Sequence, residues 1–452
     1  MSEIKQSRRE MLTETPIPPL ILRLAVPTII SMLVTALYNS ADTYFVGRIS
    51  TEATAAVGLV FSVMAVIQAM GFFCGQGSGN YISRMLGAGE KEKANYMATT
   101  GFAVSLILGT IVMILGNVFI YQIVDALGAT PSIVEDTVIY LRIILIGAPF
   151  MAGQFVINNQ LRFQGSAFYA MIGLITGAVI NVALDPLLIL YFKMGVAGAA
   201  IATISGQIIS FFVLLIGSRQ GENIRLNIRN IRLNGHYLLE IINGGAPSLM
   251  RQGLTAISAL LLNNYAGRYG GEAAIAGMSI VSRVAMMMFS AVIGFGQGYQ
   301  PVCSYNYGAG NKKRVREGFF FCVKGGTIFL TILAVISYIY APQIIGWFRD
   351  DEAVIAVGTV ALRWQACALP LATFTVISNM MLQAMGKGVK GSITSSARNG
   401  ICFIPLILIL PKFYGLLGVE ITQACAEVMA ILITGPIVAS ELIKLKYDDV
   451  QY

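Results

Sequence analysis

Residues 71–89, GFFCGQGSGNYISRMLGAG, and residues 292–310, VIGFGQGYQPVCSYNYGAG, carry the same punctuation at a spacing of 221. Gly75-Gln76-Gly77 aligns with Gly296-Gln297-Gly298, and Gly87-Ala88-Gly89 with Gly308-Ala309-Gly310. The match continues both ways at a spacing of 220 or 221: Pro27 with Pro247, Leu141-Arg142 with Leu362-Arg363, Pro149 with Pro370, Gly165 with Gly386, and Gly195 and Gly198 with Gly415 and Gly418. One such pair is chance, but this many in matched order mark an internal duplication.

The duplicated unit belongs in a membrane. Of the 452 residues, 56% are hydrophobic and 12% charged, with a mean hydropathy of +0.71, where soluble chains carry roughly 25% charged residues. Apolar runs of about 20 residues, enough to cross a bilayer, fall near 22–46, 54–82, 94–121, 132–158, 167–191 and 196–217, and again near 239–266, 273–302, 317–341, 353–381, 392–411 and 416–441. An even number of spans per half gives both halves the same orientation, related by an axis along the membrane normal. The expected fold is an all-α integral membrane protein, with twelve transmembrane helices in two six-helix bundles related by a pseudo-two-fold along that normal. The expected division is a cytoplasmic N-terminal segment 1–21, a first lobe 22–218, a basic cytoplasmic linker 219–238, a second lobe 239–442 and a cytoplasmic tail 443–452.

The formal net charge of +8 matters less than where the basic residues lie. Arg8, Arg9, Arg84, Lys91, Lys93, Arg219, Arg225, Arg229, Arg232, Lys312, Lys313, Arg314, Arg316, Lys387, Lys390, Lys444 and Lys446 mark alternate connections, which the positive-inside rule assigns to the cytoplasm together with both termini. A basic surplus explained by topology calls for no nucleic-acid partner. The six cysteines show no metal-ligand spacing, and the one histidine, His236, stands in the linker. No cofactor and no catalytic constellation is expected, and the charged start MSEIKQSRRE reads as no cleaved signal peptide.

Chemistry in a duplicated scaffold belongs where the copies disagree, and here the disagreement is acidic. Asp42 in the first span stands opposite Leu262 or Asn263, and Asp185 in the fifth stands opposite Pro405 or Leu406. Tyr38 precedes Asp42 by four residues and Asn181 precedes Asp185 by four, so each pair shares a helix face. At about 1.5 Å per residue, Asp42 lies roughly 9 Å below Arg48 and Asp185 roughly 12 Å below Lys193. Acidic residues at such depth face cavities and serve ion paths, and burial favours their neutral or cation-paired form. The competing reading pairs one aspartate with a loop arginine such as Arg48. Arg142 and Arg363 read as anchors near the outer ends of equivalent spans. Glu427, deep in the last span, is expected to pair with Arg283 or Lys324. Candidate substrate contacts are Tyr38, Met64, Gln154, Asn158 and Met286, with bundle hydrogen bonding as the equal alternative for Gln154 and Asn158.

With these residues in view, the chain resembles the multidrug and toxic compound extrusion (MATE) family, in its bacterial MepA-like subgroup, along nearly its whole length. Residues 37–47, LYNSADTYFVG, are similar to the family's first-span signature and residues 83–89, SRMLGAG, to its second-span end. Residues 294–301, GFGQGYQP, followed by 306–310, NYGAG, are similar to the eighth-span motif. The resemblance implies a secondary exporter of lipophilic or cationic drugs driven by H+ or Na+, working as a monomer among membrane lipids of the bacterial cytoplasmic membrane. It implies that Asp42 and Asp185 form the coupling site with Asn181, Tyr140 and Thr203, a sodium ion sitting at Asp42, Asn181 and Asp185 where sodium is the coupling ion. Relatives with a second-lobe acid place it eight residues after the seventh-span proline, where this chain has Thr255. The alternative function is a flippase for lipid-linked oligosaccharide of related two-lobe architecture, which needs a basic cavity; Arg283 and Lys324 are the main mid-span candidates for it.

Overall fold

The computed structural model describes residues 7–447. The outermost residues of the expected N-terminal segment and tail, 1–6 and 448–452, lie outside them. The first half runs α1 (Arg8–Glu14), α2 (Ile17–Gly47), α3 (Thr51–Gly87), α4 (Lys91–Val118), α5 (Ile120–Ala126), α6 (Val134–Phe163), α7 (Ala167–Asp185), a π-helical turn Pro186–Tyr191, and α8 (Gly195–Gly217). The second runs α9 (Gly235–Gly308), α10 (Lys312–Ile339), α11 (Ala341–Phe348), α12 (Glu352–Ala368), α13 (Ala372–Ala384), α14 (Gly388–Ser396), a π-helical turn Ala397–Cys402, α15 (Phe403–Tyr414) and α16 (Leu416–Tyr447). Eleven of the described helical stretches are long and apolar enough to cross a membrane. The longest, α9, is two spans in one, broken at Gly271 with φ 66° and ψ −158°, which brings the number of spans to the expected twelve.

The paired glycines mark paired chain reversals. Gly89 and Gly310 take φ of 81° and 79°, Gly165 and Gly386 take 80° and 77°, and Gly195 and Gly415 both take 58°, a region that side chains with a Cβ rarely enter. The first two pairs close their helices with the same hydrogen bonds. Glu90 N–H donates to Met85 O and Asn311 N–H to Asn306 O, both at 2.8 Å, and Ser166 N–H donates to Leu161 O as Lys387 N–H does to Leu382 O, both at 2.9 Å. These are six-to-one closures in which the residue after an αL glycine satisfies a carbonyl the helix leaves open. Helix starts are also encoded locally: the Ser50 side chain accepts from Ala53 N–H, and Asp351 accepts from Ala353 and Val354 N–H.

The chain forms two compact units, and they are not simple chain-order halves. Among the described residues, one comprises 7–9 and 26–245, the other 10–25 and 246–447. The first helix of each half therefore begins in one unit and ends in the other, changing over just before Pro27 and Pro247. In the first unit the start of α9 is seated on α3: Arg84 pairs with Glu240 at 2.9 Å, Tyr81 Oη lies 3.2 Å from His236 Nε2, and a Cβ on Gly77 would lie 2.2 Å from Ile241 O. The linker is bound to this unit as well, with Ile224 N–H donating to Gln164 Oε1 at 2.7 Å and Arg232 N–H to Thr100 Oγ1 at 2.9 Å. In the second unit the end of α1 and the start of α2 are held in a corresponding way. Arg314 donates to Thr15 O at 2.6 Å, Asn306 donates to Leu12 O at 3.0 Å, and a Cβ on Gly298 would lie 2.6 Å from the backbone of Ala25.

The Gly-Gln-Gly clusters are thus sites of close helix approach. Gly77→Ala forces α3 away from the Ile241 carbonyl and should destabilise the protein by about 1–3 kcal/mol. Gly58→Ala, with nothing within 4 Å of the added Cβ, should be neutral or slightly stabilising through helix propensity. Thermal unfolding of the two purified variants in detergent compares them; equal midpoints would show that the close approach places no limit on side-chain size.

Candidate functional site

Within the first unit, the outer part of α2 meets α6, α7 and α8. Asp185 is the last residue of α7. The next residue is Pro186, which has no N–H to donate, and the chain continues as a π turn in which Phe192 N–H reaches back to Leu187 O at 3.0 Å. Asp185 is 0% exposed and neither of its carboxylate oxygens has a hydrogen-bond partner among the described residues. The same is true of Asp42 Oδ1 and Asn181 Oδ1. The Asn181 amide approaches Thr203 Oγ1 at 3.5 Å, and Thr203 donates to Ala199 O at 3.0 Å. Tyr140 is 1% exposed and interacts with Asp42, Thr203, Asp185 and Tyr38. The structure therefore brings Asp42, Asp185, Asn181, Tyr140, Thr203 and Tyr38 into one cluster.

Native structures leave few buried acceptors unpaired, and an ionised carboxylate inside a membrane is costly without a partner. Four such oxygens together form a set that accepts protons, donors or a cation. A pocket of about 50 Å³ continues from the cluster, lined by Tyr38, Gln154, Asn181, Thr203, Gln207 and Ser210 among others, with room for a few waters. It lies beside the closest approach of α7 and α8, where a Cβ on Gly177 would sit 2.7 Å from Gly206 O and one on Gly206 would sit 2.6 Å from Gly177 O. Gln154 lines this pocket with its Oε1 unpartnered.

Three candidate contacts lie elsewhere. Asn158 donates to Ala170 O at 3.0 Å, and its repeat partner Asn379 donates to Gly391 O at 2.7 Å, so this amide ties neighbouring helices in both halves. Met64 packs against the core of Ile67, Ala148 and Met151. Met286, in the second half, is 71% exposed. Arg48 reaches neither aspartate: it donates to Tyr44 Oη at 2.5 Å and lies 5.0 Å over that ring. Arg363 donates to Tyr338 O at 3.3 Å, as an anchor would.

In the second unit the expected pairing of Glu427 with Arg283 or Lys324 is corrected to Arg398. Arg398 Nε lies 2.7 Å from Glu427 Oε2, an ion-pair contact whose angles are not those of a hydrogen bond. Thr375 donates to Glu427 Oε1 at 3.0 Å, and Arg398 Cζ stacks 4.0 Å over the Phe289 ring. The sequence reading missed Arg398, although an arginine amid the small residues of 394–400, TSSARNG, was a visible signal. Thr255 accepts from Asn399 Nδ2 at 2.7 Å. Gln207 and Ser210 were also missed; with Thr203 they follow helical spacing along one face of α8.

A family model described as MatE matches residues 27–187 and 247–409. The multidrug export protein MepA of Staphylococcus saprophyticus is 28% identical over 410 residues, 90% of each chain. Among solved structures, an outward-facing multidrug resistance MATE family transporter of the MOP superfamily superposes with a TM-score of 0.90 at 28% identity, over 99% of this chain and 100% of the other. A MATE structure in the bent conformation gives 0.91 at 28% identity over 98% of both.

An unpartnered buried carboxylate weakens the fold that contains it, and sites of this kind trade stability for function. Asp185→Asn should raise the thermal unfolding midpoint in detergent, by an amount equivalent to about 1 kcal/mol or more. A midpoint at or below the parent's would mean that the carboxylate carries no desolvation penalty.

Proposed function

The chain belongs to the MatE family, and on that premise we propose that it exports amphiphilic, often cationic small molecules in exchange for protons or sodium ions by alternating access, coupled through Asp42 and Asp185. Members of the family are transporters and not enzymes. The chain is a multi-pass membrane protein of the bacterial plasma membrane, and in this reading it works as a monomer with both termini in the cytoplasm, its apolar faces against lipid.

The observation that carries the coupling role is the unpartnered state of Asp42 Oδ1, Asn181 Oδ1 and both Asp185 oxygens, clustered beside a pocket that shares Asn181, Thr203 and Tyr38 with them. Carboxylate and amide oxygens suit a hard cation, and a carboxyl group suits a proton equally. A sodium ion here would be a transported ion, held by Asp42, Asn181 and Asp185 with the Tyr140 and Thr203 hydroxyls beside them. Loading lowers the electrostatic penalty of the first unit's interior, which gives ion binding a handle on the conformational equilibrium. The same negative charge attracts cationic substrates. The flippase alternative needs a basic phosphate site, and the pocket beside the acidic cluster is lined by no basic residue.

Asp42→Asn should reduce gradient-driven efflux of a fluorescent cationic dye from proteoliposomes to the level of protein-free vesicles. Efflux at the parent rate would remove Asp42 from the coupling mechanism. Applied to the parent chain, a pH step and a sodium step in turn identify the ion: the coupling gradient drives dye movement and the other does not.

A further inference from the structure

The pocket of the first unit has a counterpart in the second that is built from charged groups. The repeat register is fixed by matched features, the hydrogen bonds of Asn158 and Asn379 and the positive-φ glycines Gly195 and Gly415. Counted from those anchors, the pocket-lining residues Gln154 and Gln207 correspond to Thr375 and Glu427, and Gly177, between the anchors, falls opposite Ala397 or Arg398. Where one unit has a small uncharged pocket, the other has a guanidinium and a carboxylate ten residues or more from the ends of their spans.

We propose that the second unit holds a binding position for the anionic group of an amphiphilic small molecule, a carboxylate above all, with Arg398 as its anchor. The proposal rests on the efflux reading for its transport consequence and on the geometry of the second unit for binding. The Arg398 side chain is 26% exposed while Glu427 is 0% exposed, so the cation is reachable and the carboxylate is not. Glu427 engages Nε, and the Phe289 ring covers one face of the guanidinium. The two terminal amino groups carry no hydrogen bond among the described residues. That free edge is the planar fork which binds a carboxylate with two parallel hydrogen bonds. Facing hydrocarbon, it would be among the most expensive groups in the protein, so its exposure marks a route for polar ligands.

Two neighbours strengthen the case. Arg251 is a second guanidinium in this interior, its Nη1 3.4 Å from Asn379 Oδ1 and with no acidic partner among the described residues. It lies on α9 between Pro247, whose carbonyl accepts from Ser395 at 2.5 Å, and Ser258, which donates to Asn399 O at 2.6 Å. It is therefore level with the stretch of chain that holds Arg398. Arg251 thus places a second cation beside the Arg398–Glu427 pair. Met286 precedes Phe289 by three residues, on the same helix face, and is 71% exposed where Phe289 is buried; Met286 thus offers an apolar contact for the ligand's body.

The test uses two matched probes, pyrenebutyrate and pyrenebutyltrimethylammonium, and their equilibrium binding to the purified full chain in a detergent with an uncharged head group. Arg398→Gln should weaken pyrenebutyrate by about tenfold or more, the loss expected for a charged hydrogen bond, and leave the cation within about twofold. Glu427→Gln keeps an acceptor for Thr375 but removes the competing charge, so it should tighten pyrenebutyrate. A pair with a purely structural role predicts the reverse, weakening by both variants. Should Glu427→Gln fail to yield a monodisperse protein, Arg398→Lys decides: it keeps the charge, loses the fork, and should fall between the parent and Arg398→Gln. The proposal is overturned if the parent does not bind pyrenebutyrate, if Arg398→Gln shifts both probes alike, or if Arg398→Lys matches Arg398→Gln. Asp42→Asn separates the two readings: it should lose gradient-driven efflux yet bind pyrenebutyrate as the parent does. Unchanged efflux there sinks the coupling role and leaves the Arg398 measurement standing.

Discussion

A charge withdrawn from water into a membrane interior must be met by a partner, and the two units of this protein answer that demand in opposite ways. In the second, Glu427 is met by Arg398 and Thr375. In the first, Asp185 is enclosed completely and met by nothing, with Asp42 and Asn181 presenting further bare oxygens. The first arrangement leaves acceptor oxygens that a proton or a cation would satisfy. The Arg398–Glu427 pair is matched as it stands, apart from the outer edge of the guanidinium. The same helical scaffold therefore supports two different electrostatic environments.

The scaffold tolerates this because its own stability comes from features that both halves share. Helix ends are closed by glycines with positive φ at matched positions, and interhelical amides such as Asn158 and Asn379 tie neighbouring spans identically. Corresponding helix ends are fastened by Arg84 with Glu240 in one unit and by Lys387 and Lys390 with Glu441 in the other. None of these contacts involves the acidic cluster or the Arg398–Glu427 pair. The first helix of each half also begins in the unit opposite to the one in which it ends. The glycines at 77 and 298 accept the incoming helix starts, which explains why those clusters had to be duplicated with the rest.

Much of this was legible in the sequence. Span number follows from hydropathy, which local composition determines, and duplication follows from glycines whose backbone conformation excludes other residues. The acidic cluster was legible because Asp42 and Asp185 each break the repeat with a charge at membrane depth. What escaped depends on which helix faces meet. Asn158 and Gln154 share a face, yet one ties α6 to α7 while the other opens on a pocket. Met64 lies in a packed core, although its composition suited a binding surface equally. The partner of Glu427 was chosen from the wrong spans because nothing in the chain order brings α16 to the π turn at 397–402. The seven-residue α1 and the first residues of α2 read as a separate N-terminal segment, and only the bonds of Leu12 and Thr15 to Asn306 and Arg314 tie that stretch to the second unit.

The divergence between the halves is concentrated where α7 and α8 approach most closely. Gly177 lets α7 touch the backbone of α8, and an arginine at that position could not be accommodated without prising the helices apart. In the second unit the corresponding stretch, with Arg398, lies in a π-helical turn, a local widening that admits one more residue per turn and is frequent at functional sites. In the first unit the π turn comes later, immediately after Asp185, and it is the acid rather than a base that stands at the irregular backbone. Each unit thus places its distinctive charge at the point where its fifth span departs from regular helix. The irregularity supplies the space that an ionisable side chain needs, and its position along the span decides which side chain receives it.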